Sequence, residues 1–200
     1  MTLYDFFTFR STYSPSTIQA HATGVSRELK EGLSYDRKLL LGLYEGFQFP
    51  ITFKIQYGRV FKDILDTGTG SLYLISEKMK NSLKEHQLTG WKTFPIRLLG
   101  KQDEEIQGYH GFSITGRCGP VDFSKSERIL KSFVPEGPLS TFCKGFPIEL
   151  DSWDGSDFFL PSNRYSTTVS KRAAEVIKKE KLTHIQLTRL TDYEIPEIAL

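Results

Sequence analysis

The chain has 200 residues, with 26 basic and 24 acidic side chains, so its formal net charge is +2. This length fits one large domain or two small, closely packed ones. The balanced charge argues against a polyanion partner, because nucleic-acid-binding domains usually present a basic surface and a higher isoelectric point. The apolar fraction of 38% is typical of a folded chain with a packed core.

Targeting signals are missing from the sequence as it stands. The first residues lack the basic start and apolar run of a signal peptide, and no stretch approaches the roughly 18 apolar residues of a membrane helix. The two cysteines, Cys118 and Cys143, form no CxxC pair and therefore no zinc ribbon, although a disulfide between them is possible. We expect a reduced, cytoplasmic protein with no membrane contact.

The N-terminal quarter is predicted to contain two strands. Residues 3–9 are rich in aromatic side chains, and residues 51–57 alternate apolar with polar side chains, as a half-buried strand does. The polar segment at 16–31 could hold one helix. We divide the chain into an N-terminal strand-containing segment, 1–56, and a main region, 57–200, which together form one compact domain.

A strand–helix–strand pattern follows. A loop at 63–70 leads into a short strand at 71–75, and Ser76 occupies the N-cap of a helix that is predicted to reach His86. The chain returns as a strand over 91–99, where Pro95 indicates an edge position or a bulge.

The same pattern recurs near the C-terminus without a gap, at an offset of 170 − 76 = 94. At that offset the matching pairs are Asp63 with Asp157, Ser76 with Ser170, Lys84 with Lys178, Leu88 with Leu182 and Thr89 with Thr183. The alternative is two unrelated helices with ordinary serine caps. We predict an α+β fold with mixed sheets and a duplicated strand–helix–strand unit, the first copy at 63–98 and the second at 157–192.

The region between the two copies has a different pattern. A strand is predicted at 107–115 and a turn at 116–120. One or two helical turns are expected at 124–132, and the Pro/Gly/Ser-rich stretch at 133–145 is expected to be a loop. A short strand at 146–150 leads into the second copy.

The most distinctive polar cluster is an acidic turn before the second copy. Asp151, Asp154 and Asp157 recur at spacing three around Trp153 and Gly155. A calcium loop needs oxygen ligands at its first, third and fifth positions and glycine at its sixth, and this spacing does not match. The remaining interpretations are an Asp–Gly turn or an interface anchored by tryptophan. We predict no metal site.

Catalytic patterns are weak. Among the four histidines, His110 alone falls inside a strand-like stretch, and it could act as a base with Asp151, Asp154 or Asp157 in a hydrolase. The chain has no phosphate-binding glycine loop and no Gly-x-Ser-x-Gly motif. We therefore assign no catalytic residue and expect no cofactor.

Several segments resemble a known family. They are TGRCGPVD at 115–122, LDSWDGSDFFLP at 150–161, the helix start at 169–172 and LTHIQLTRLTDYEI at 182–195, together with LYLISEKMKNSLKEHQLTGWKTFPI at 72–96. Together they resemble bacterial immunity proteins of polymorphic toxin systems, of the double-CXXCG type and related immunity domains. The resemblance implies a protein that neutralises a cognate toxin by binding it, without catalysis. The two CXXCG motifs that name the family are absent here, so we expect no zinc.

We place the binding surface on the second copy, because its opening turn carries the tryptophan and the acidic residues. The candidate partner-binding residues are Trp153, Asp154, Asp157, Arg164 and Tyr165. The alternative functions are a hydrolase that uses the acidic turn with His110, and a ligand-binding module that uses a cleft between the copies. A chain with internal symmetry can stand alone or pair again.

Overall fold

A computed structural model of the chain describes residues 2–24 and 32–199. Within these ranges the helices are α1 (Tyr35–Leu41), α2 (Glu77–Glu85) and α3 (Lys171–Lys179). The strands are β1 (Phe6–Ser11), β2 (Gln19–Ala22), β3 (Ile51–Tyr57), β4 (Ile64–Asp66), β5 (Tyr73–Ser76), β6 (Trp91–Phe94), β7 (Ile96–Leu99), β8 (Glu105–Ile106), β9 (Tyr109–Ile114), β10 (Gly116–Cys118), β11 (Glu127–Ser132), β12 (Leu139–Lys144), β13 (Phe158–Pro161), β14 (Thr168–Ser170), β15 (Ile185–Arg189) and β16 (Glu194–Pro196).

The strands form mixed sheets, so the fold is α+β as predicted. One sheet has eight strands in the order β6-β9-β5-β4-β2-β3-β7-β8, a second has five in the order β10-β13-β14-β1-β15, and the third is β11-β12-β16. Both larger sheets and all three helices contribute to one main core, while a second core includes Phe6, Cys118 and Phe159 of the five-stranded sheet and residues outside the strands such as Phe146 and Tyr193.

The duplicated unit is present, and each copy is completed by one strand from outside it. In the first copy, β5 and β6 both pair with β9, which follows the copy in sequence. In the second copy, β14 and β15 both pair with β1, which comes from the N-terminus. The registers correspond, because Ile75 opposite His110 matches Val169 opposite Phe7. The N-terminal segment is therefore a structural part of the second copy.

Both helices of the copies begin as the sequence predicts. The Ser76 hydroxyl accepts a hydrogen bond from the Met79 amide at 3.0 Å, and the Ser170 hydroxyl accepts one from the Ala173 amide at 3.2 Å. These bonds satisfy amide groups that the first turn of a helix leaves unpaired. The residues buried against the sheets are Met79, Ser82 and Leu83 in α2, and Ala173, Ala174, Val176 and Ile177 in α3.

Some N-terminal predictions need correction. The first strand begins at Phe6, after a short 3-10 turn at Leu3–Asp5. The predicted helix at 16–31 is wrong at its start, where β2 pairs with β3 and places Ile18 and Ala20 in the core. The rest of that prediction, at 25–31, lies outside the described residues. Sheet pairing overrides the local polarity of this segment, because the apolar side chains gain burial only in the sheet.

The region between the copies differs most from prediction. The expected helical turns at 124–132 are present only as a 3-10 turn at Phe123–Lys125, and the expected loop at 133–145 is present mainly at 133–138. The rest of both predictions is wrong, because β11 and β12 form an antiparallel hairpin from Glu127 opposite Lys144 to Ser132 opposite Leu139. The predicted turn at 116–120 contains β10, which pairs in parallel with β13. Prolines and glycines mark only the hairpin turn, whereas its two arms are regular strands.

Candidate functional site

The second copy opens with a buried carboxylate that we call the Asp157 cluster, which consists of Asp157, Ser170, Thr89 and Arg172. Asp157 Oδ1 accepts from the Ser170 hydroxyl at 2.7 Å, within its own copy. Its Oδ2 accepts from the amide and the hydroxyl of Thr89 in the first copy, at 3.0 and 3.3 Å. Arg172 Nη1 lies 3.0 Å from the same oxygen. The cluster therefore joins the two copies.

The first copy repeats this arrangement in reverse, in the Asp63 cluster of Asp63, Ser76, Thr183 and Lys78. Asp63 Oδ1 accepts from the Ser76 hydroxyl at 2.8 Å. Its Oδ2 accepts from the amide and the hydroxyl of Thr183, each at 2.7 Å. Lys78 Nζ lies 3.8 Å from this oxygen. Each aspartate thus binds the post-helix threonine of the other copy.

Two further contacts cross between the copies in matching pairs. Arg172 Nη2 donates to the carbonyl oxygen of Gln87 at 3.3 Å, and Lys78 Nζ donates to that of Lys181 at 3.3 Å. Gln87 and Lys181 are equivalent residues, and both have left-handed backbone angles, with φ of 52° and 50°. The two contacts, and with them the two copies, are therefore related by an approximate two-fold axis.

His86 and Glu180 occupy equivalent positions in the two copies and bind each other across this axis. His86 Nε2 and Glu180 Oε1 are 2.9 Å apart, and the residues are separated by the repeat offset of 94. The hydrogen bond from His86 lowers the pKa of the Glu180 carboxyl below its ordinary value of 4.5. This pair and the two aspartate clusters lie where the copies meet, so the duplicated motif residues form an interface inside the chain.

The candidate partner-binding residues of the acidic turn make internal contacts. The Trp153 ring packs on Phe6 at 5.0 Å between ring centroids, and its indole nitrogen donates to the Ser156 carbonyl at 3.0 Å. Asp154 accepts from the amides of Arg117 at 2.7 Å and Ser156 at 3.0 Å. The turn is thus built like the Asp–Gly turn that was one of its two interpretations.

The other two candidates lie just after β13. The Arg164 guanidinium is 5.0 Å from the Phe123 ring centroid, and Arg37 is 4.5 Å from the Tyr165 ring centroid. Both are cation–π distances. Binding of a partner by Trp153, Asp154, Asp157, Arg164 and Tyr165 stays a prediction, and the structure shows Asp157 buried between the copies.

His110 has different neighbours from those of the hydrolase hypothesis. It binds the Glu77 carboxylate, and Lys80 Nζ lies 3.2 Å from its Nε2. The hydrogen bond from His110, followed by that from Lys80, lowers the pKa of Glu77. In the part of the chain that the structure describes, no hydrogen bond joins His110 to Asp151, Asp154 or Asp157.

A surface that the sequence analysis missed lies at the end of the β11–β12 hairpin. It comprises four large apolar side chains, each between 59% and 68% exposed. We call it the hairpin tip, and its members are Leu130, Phe133, Val134 and Leu139. The sequence offers only the turn-forming segment with Pro135, Gly137 and Pro138 as a signal, because residues 127–132 do not alternate cleanly between apolar and polar side chains.

The base of the hairpin is firmly attached. Phe142 and Cys143 are buried, and β12 pairs with β16. Lys131 Nζ lies 2.6 Å from Glu194, and Arg128 Nε lies 2.9 Å from Glu197. The exposed tip therefore projects from an anchored base.

Both cysteines are free thiols, so the possible disulfide is not formed. Burial raises the pKa of the Cys118 thiol to about 12, which disfavours the reactive thiolate. Within residues 2–24 and 32–199, no group of three or more His, Cys, Asp or Glu side chains could hold a metal ion, and no helix is long and apolar enough to cross a membrane.

No family model matches the chain, and no curated protein matches it as a relative.

Proposed function

We propose that this chain is a non-catalytic, immunity-like protein that binds and neutralises a cognate toxin protein in the cytoplasm. Two observations support the proposal. Residues 115–122, 150–161 and 182–195 resemble immunity proteins of polymorphic toxin systems. The single structural observation that carries it is the exposed apolar hairpin tip.

The hairpin tip has the composition of a protein contact. Single exposed apolar side chains are ordinary, but four in one short hairpin are more typical of an interaction surface. Leu130 lies opposite Thr141, and Ser132 lies opposite Leu139, so the two leucines project from the same face of the hairpin. Burial of each such side chain against a partner would contribute about 1.5–3 kcal/mol.

The hairpin also offers backbone groups. β11 is the edge strand of its sheet, because the strand order is β11-β12-β16. An open edge can accept a strand from another protein, which aligns the partner through backbone hydrogen bonds. An anchored hairpin that binds in this way would neutralise a toxin by covering its active surface. The free cysteines fit a reducing compartment.

Co-purification with the product of a neighbouring toxin-like gene tests the proposal. The double variant Leu130→Asp with Leu139→Asp should weaken the measured affinity by roughly a hundredfold, because two exposed apolar side chains on one face of the hairpin are replaced by charges. It should also lose protection of cells that express the toxin. The matched control is Leu43→Asp, an exposed leucine outside the hairpin, which should bind as the unmodified chain does.

Two results would count against the proposal. One is that no toxin-like protein co-purifies and no toxicity is relieved. The other is a hairpin double variant that is folded and still binds with unchanged affinity.

A further inference from the structure

A polar pocket lies at another seam between the two copies, away from the hairpin. Its volume is about 540 Å³. It is bordered by the end of β1, the loop that follows, the end of β3 and the turn between β4 and β5. The side chains that line it include those of Ser11, Tyr13, Thr17, Gln19, Tyr57 and Asp66.

The carboxylate of Asp66 is held in place on the pocket wall. Its Oδ1 accepts from the Ser11 hydroxyl at 2.6 Å, and its Oδ2 lies 3.1 Å from His184 Nε2. The His184 side chain is only 3% exposed, and its Nδ1 lies 3.5 Å from the Thr17 hydroxyl. The two ring nitrogens of His184 thus contact Asp66 and Thr17.

The pocket wall carries one carboxylate, which keeps open acceptor sites beside its contacts with Ser11 and His184. Asp66 keeps 32% of its side chain exposed, and each carboxylate oxygen can accept more than one hydrogen bond. No lysine or arginine is among the described residues that line the pocket. The other polar lining groups are hydroxyls and the Gln19 amide, which carry no charge.

Two tyrosines complete the site. Tyr13 and Tyr57 line the pocket and are both exposed. The face of an aromatic ring attracts a cation through its quadrupole, and the attraction adds to that of a nearby carboxylate. Hydroxyl groups around the carboxylate can accept the remaining N–H bonds of such a ligand.

The symmetry of the chain shows that the fold does not require this polar group. At the repeat offset the counterpart of Asp66 is Leu160, and the counterpart of His184 is Gly90. Ser11 faces Ile185 in β15, and the equivalent pair in the other copy is Ile114 facing Trp91. The same strand geometry thus forms without the carboxylate, the imidazole or the hydroxyl.

We propose that this pocket binds an organic cation, with Asp66 pairing with an ammonium or guanidinium group and Tyr13 and Tyr57 packing on it. The cation could belong to a free amine or to a lysine or arginine side chain of a protein. This inference stands apart from toxin binding by the hairpin, because the two sites share no residue.

Isothermal titration calorimetry of the whole chain tests this inference with propylammonium, ethylguanidinium and N-acetyl-lysine methylamide as probes. Propanol and methyl glucoside serve as neutral probes. The cations should bind saturably, and Asp66→Asn should lower their affinity by at least roughly tenfold. Because Asp66→Asn could also disturb Ser11 and His184, Tyr13→Ala provides a second variant at an exposed side chain. It should weaken binding several-fold, because it removes one cation–π contact, with an unchanged melting temperature.

The matched control is Asp151→Asn, which removes one negative charge from an exposed position outside the pocket and should bind the cations normally. Stronger binding of the lysine derivative than of propylammonium would identify a protein side chain as the source, and the reverse would identify a free amine. The inference is overturned if no cation binds saturably, if the neutral probes bind equally well, or if Asp66→Asn and Tyr13→Ala both bind like the control.

Discussion

Asp63 and Asp157 begin the two copies and make the same hydrogen bonds, but they differ in their cationic partners. Arg172 lies 3.0 Å from Asp157, and Lys78 lies 3.8 Å from Asp63. Arginine can also donate to the other copy with its second nitrogen, which reaches the His86 carbonyl at 2.6 Å. The two clusters therefore share their hydrogen-bond geometry, and we expect them to contribute differently to the free energy of unfolding because their cations lie at different distances.

The two copies differ more in residues that lie away from the two-fold axis. Asp66 and His184 form a polar contact, whereas their counterparts Leu160 and Gly90 have no polar side chains with which to form one. The contact of Asp66 with His184 also joins the two copies, but it has no repeat, unlike the contacts of the aspartate clusters.

The largest effect is expected for Asp157→Ala. The change leaves Ser170, the Thr89 amide and Arg172 without their common acceptor. Arg172 is 54% exposed, so water screens its charge, and the cost comes mainly from the lost hydrogen bonds to a buried carboxylate, each of which contributes about 1.5–3 kcal/mol. We expect a loss of about 3 kcal/mol in the free energy of unfolding by urea denaturation. Asp151→Ala, at an exposed aspartate, is the control and should unfold like the unmodified chain.

The next largest effect is expected for Asp63→Ala. The equivalent neutral donors, Ser76 and Thr183, lose their acceptor, but Lys78, which is as exposed as Arg172, lies farther from the carboxylate and loses less. Urea denaturation should show a loss of about 2 kcal/mol, from several buried hydrogen bonds to a charged group. A cost equal to or above that of Asp157→Ala would show that Arg172 contributes nothing, and would remove the difference between the clusters.

Replacement of the capping serines should have smaller and nearly equal effects. Ser76→Ala and Ser170→Ala each remove one helix cap and one donor to an aspartate, so we expect about 1 kcal/mol for each in the same assay. Ser16→Ala, outside both copies, is the control. Costs that differ by more than roughly twofold between the two caps would contradict the equivalence of the copies.

The smallest effect concerns pH. The His86 hydrogen bond lowers the pKa of Glu180 in the folded chain below the ordinary value of 4.5. The stability that the ionised Glu180 contributes is therefore present above pH 4.5, and it is lost as the pH falls through the lower pKa of the folded chain. Glu180→Gln should therefore flatten the decline of the urea midpoint below pH 4.5. The exposed Glu45→Gln should leave that decline unchanged, and an equal decline in both variants would argue against the pair.

The duplicated unit could be predicted because its signals are local. A serine at the N-cap, apolar residues at helical spacing and a Leu-Thr pair after the helix all act within about one helical turn of their own position. The same positions later prove to be the ones that join the copies, since Asp63, Asp157, Thr89 and Thr183 form the clusters.

The hairpin was missed for the opposite reason. Residues 127–132 mix charged and apolar side chains without a clean alternation, and their strand conformation depends on pairing with β12. Pairing energies of this kind depend on the neighbouring strand more than on intrinsic preference. The exposure of Leu130 and Leu139 also follows from the position of β16, which pairs only with the base of β12 at Phe142–Lys144.

The sequence by itself determined the α+β class, the repeat and its two serine-capped helices, because each rests on short-range patterns of polarity and hydrogen bonding. Only the tertiary structure decided which strand completes each copy, β9 for the first and β1 for the second. Phe9 and Phe112 occupy equivalent places in these strands and pack at 6.3 Å between ring centroids. No local pattern in either segment predicts which strand completes each copy, because the pairing of distant strands is selected by the burial of such side chains in a shared core.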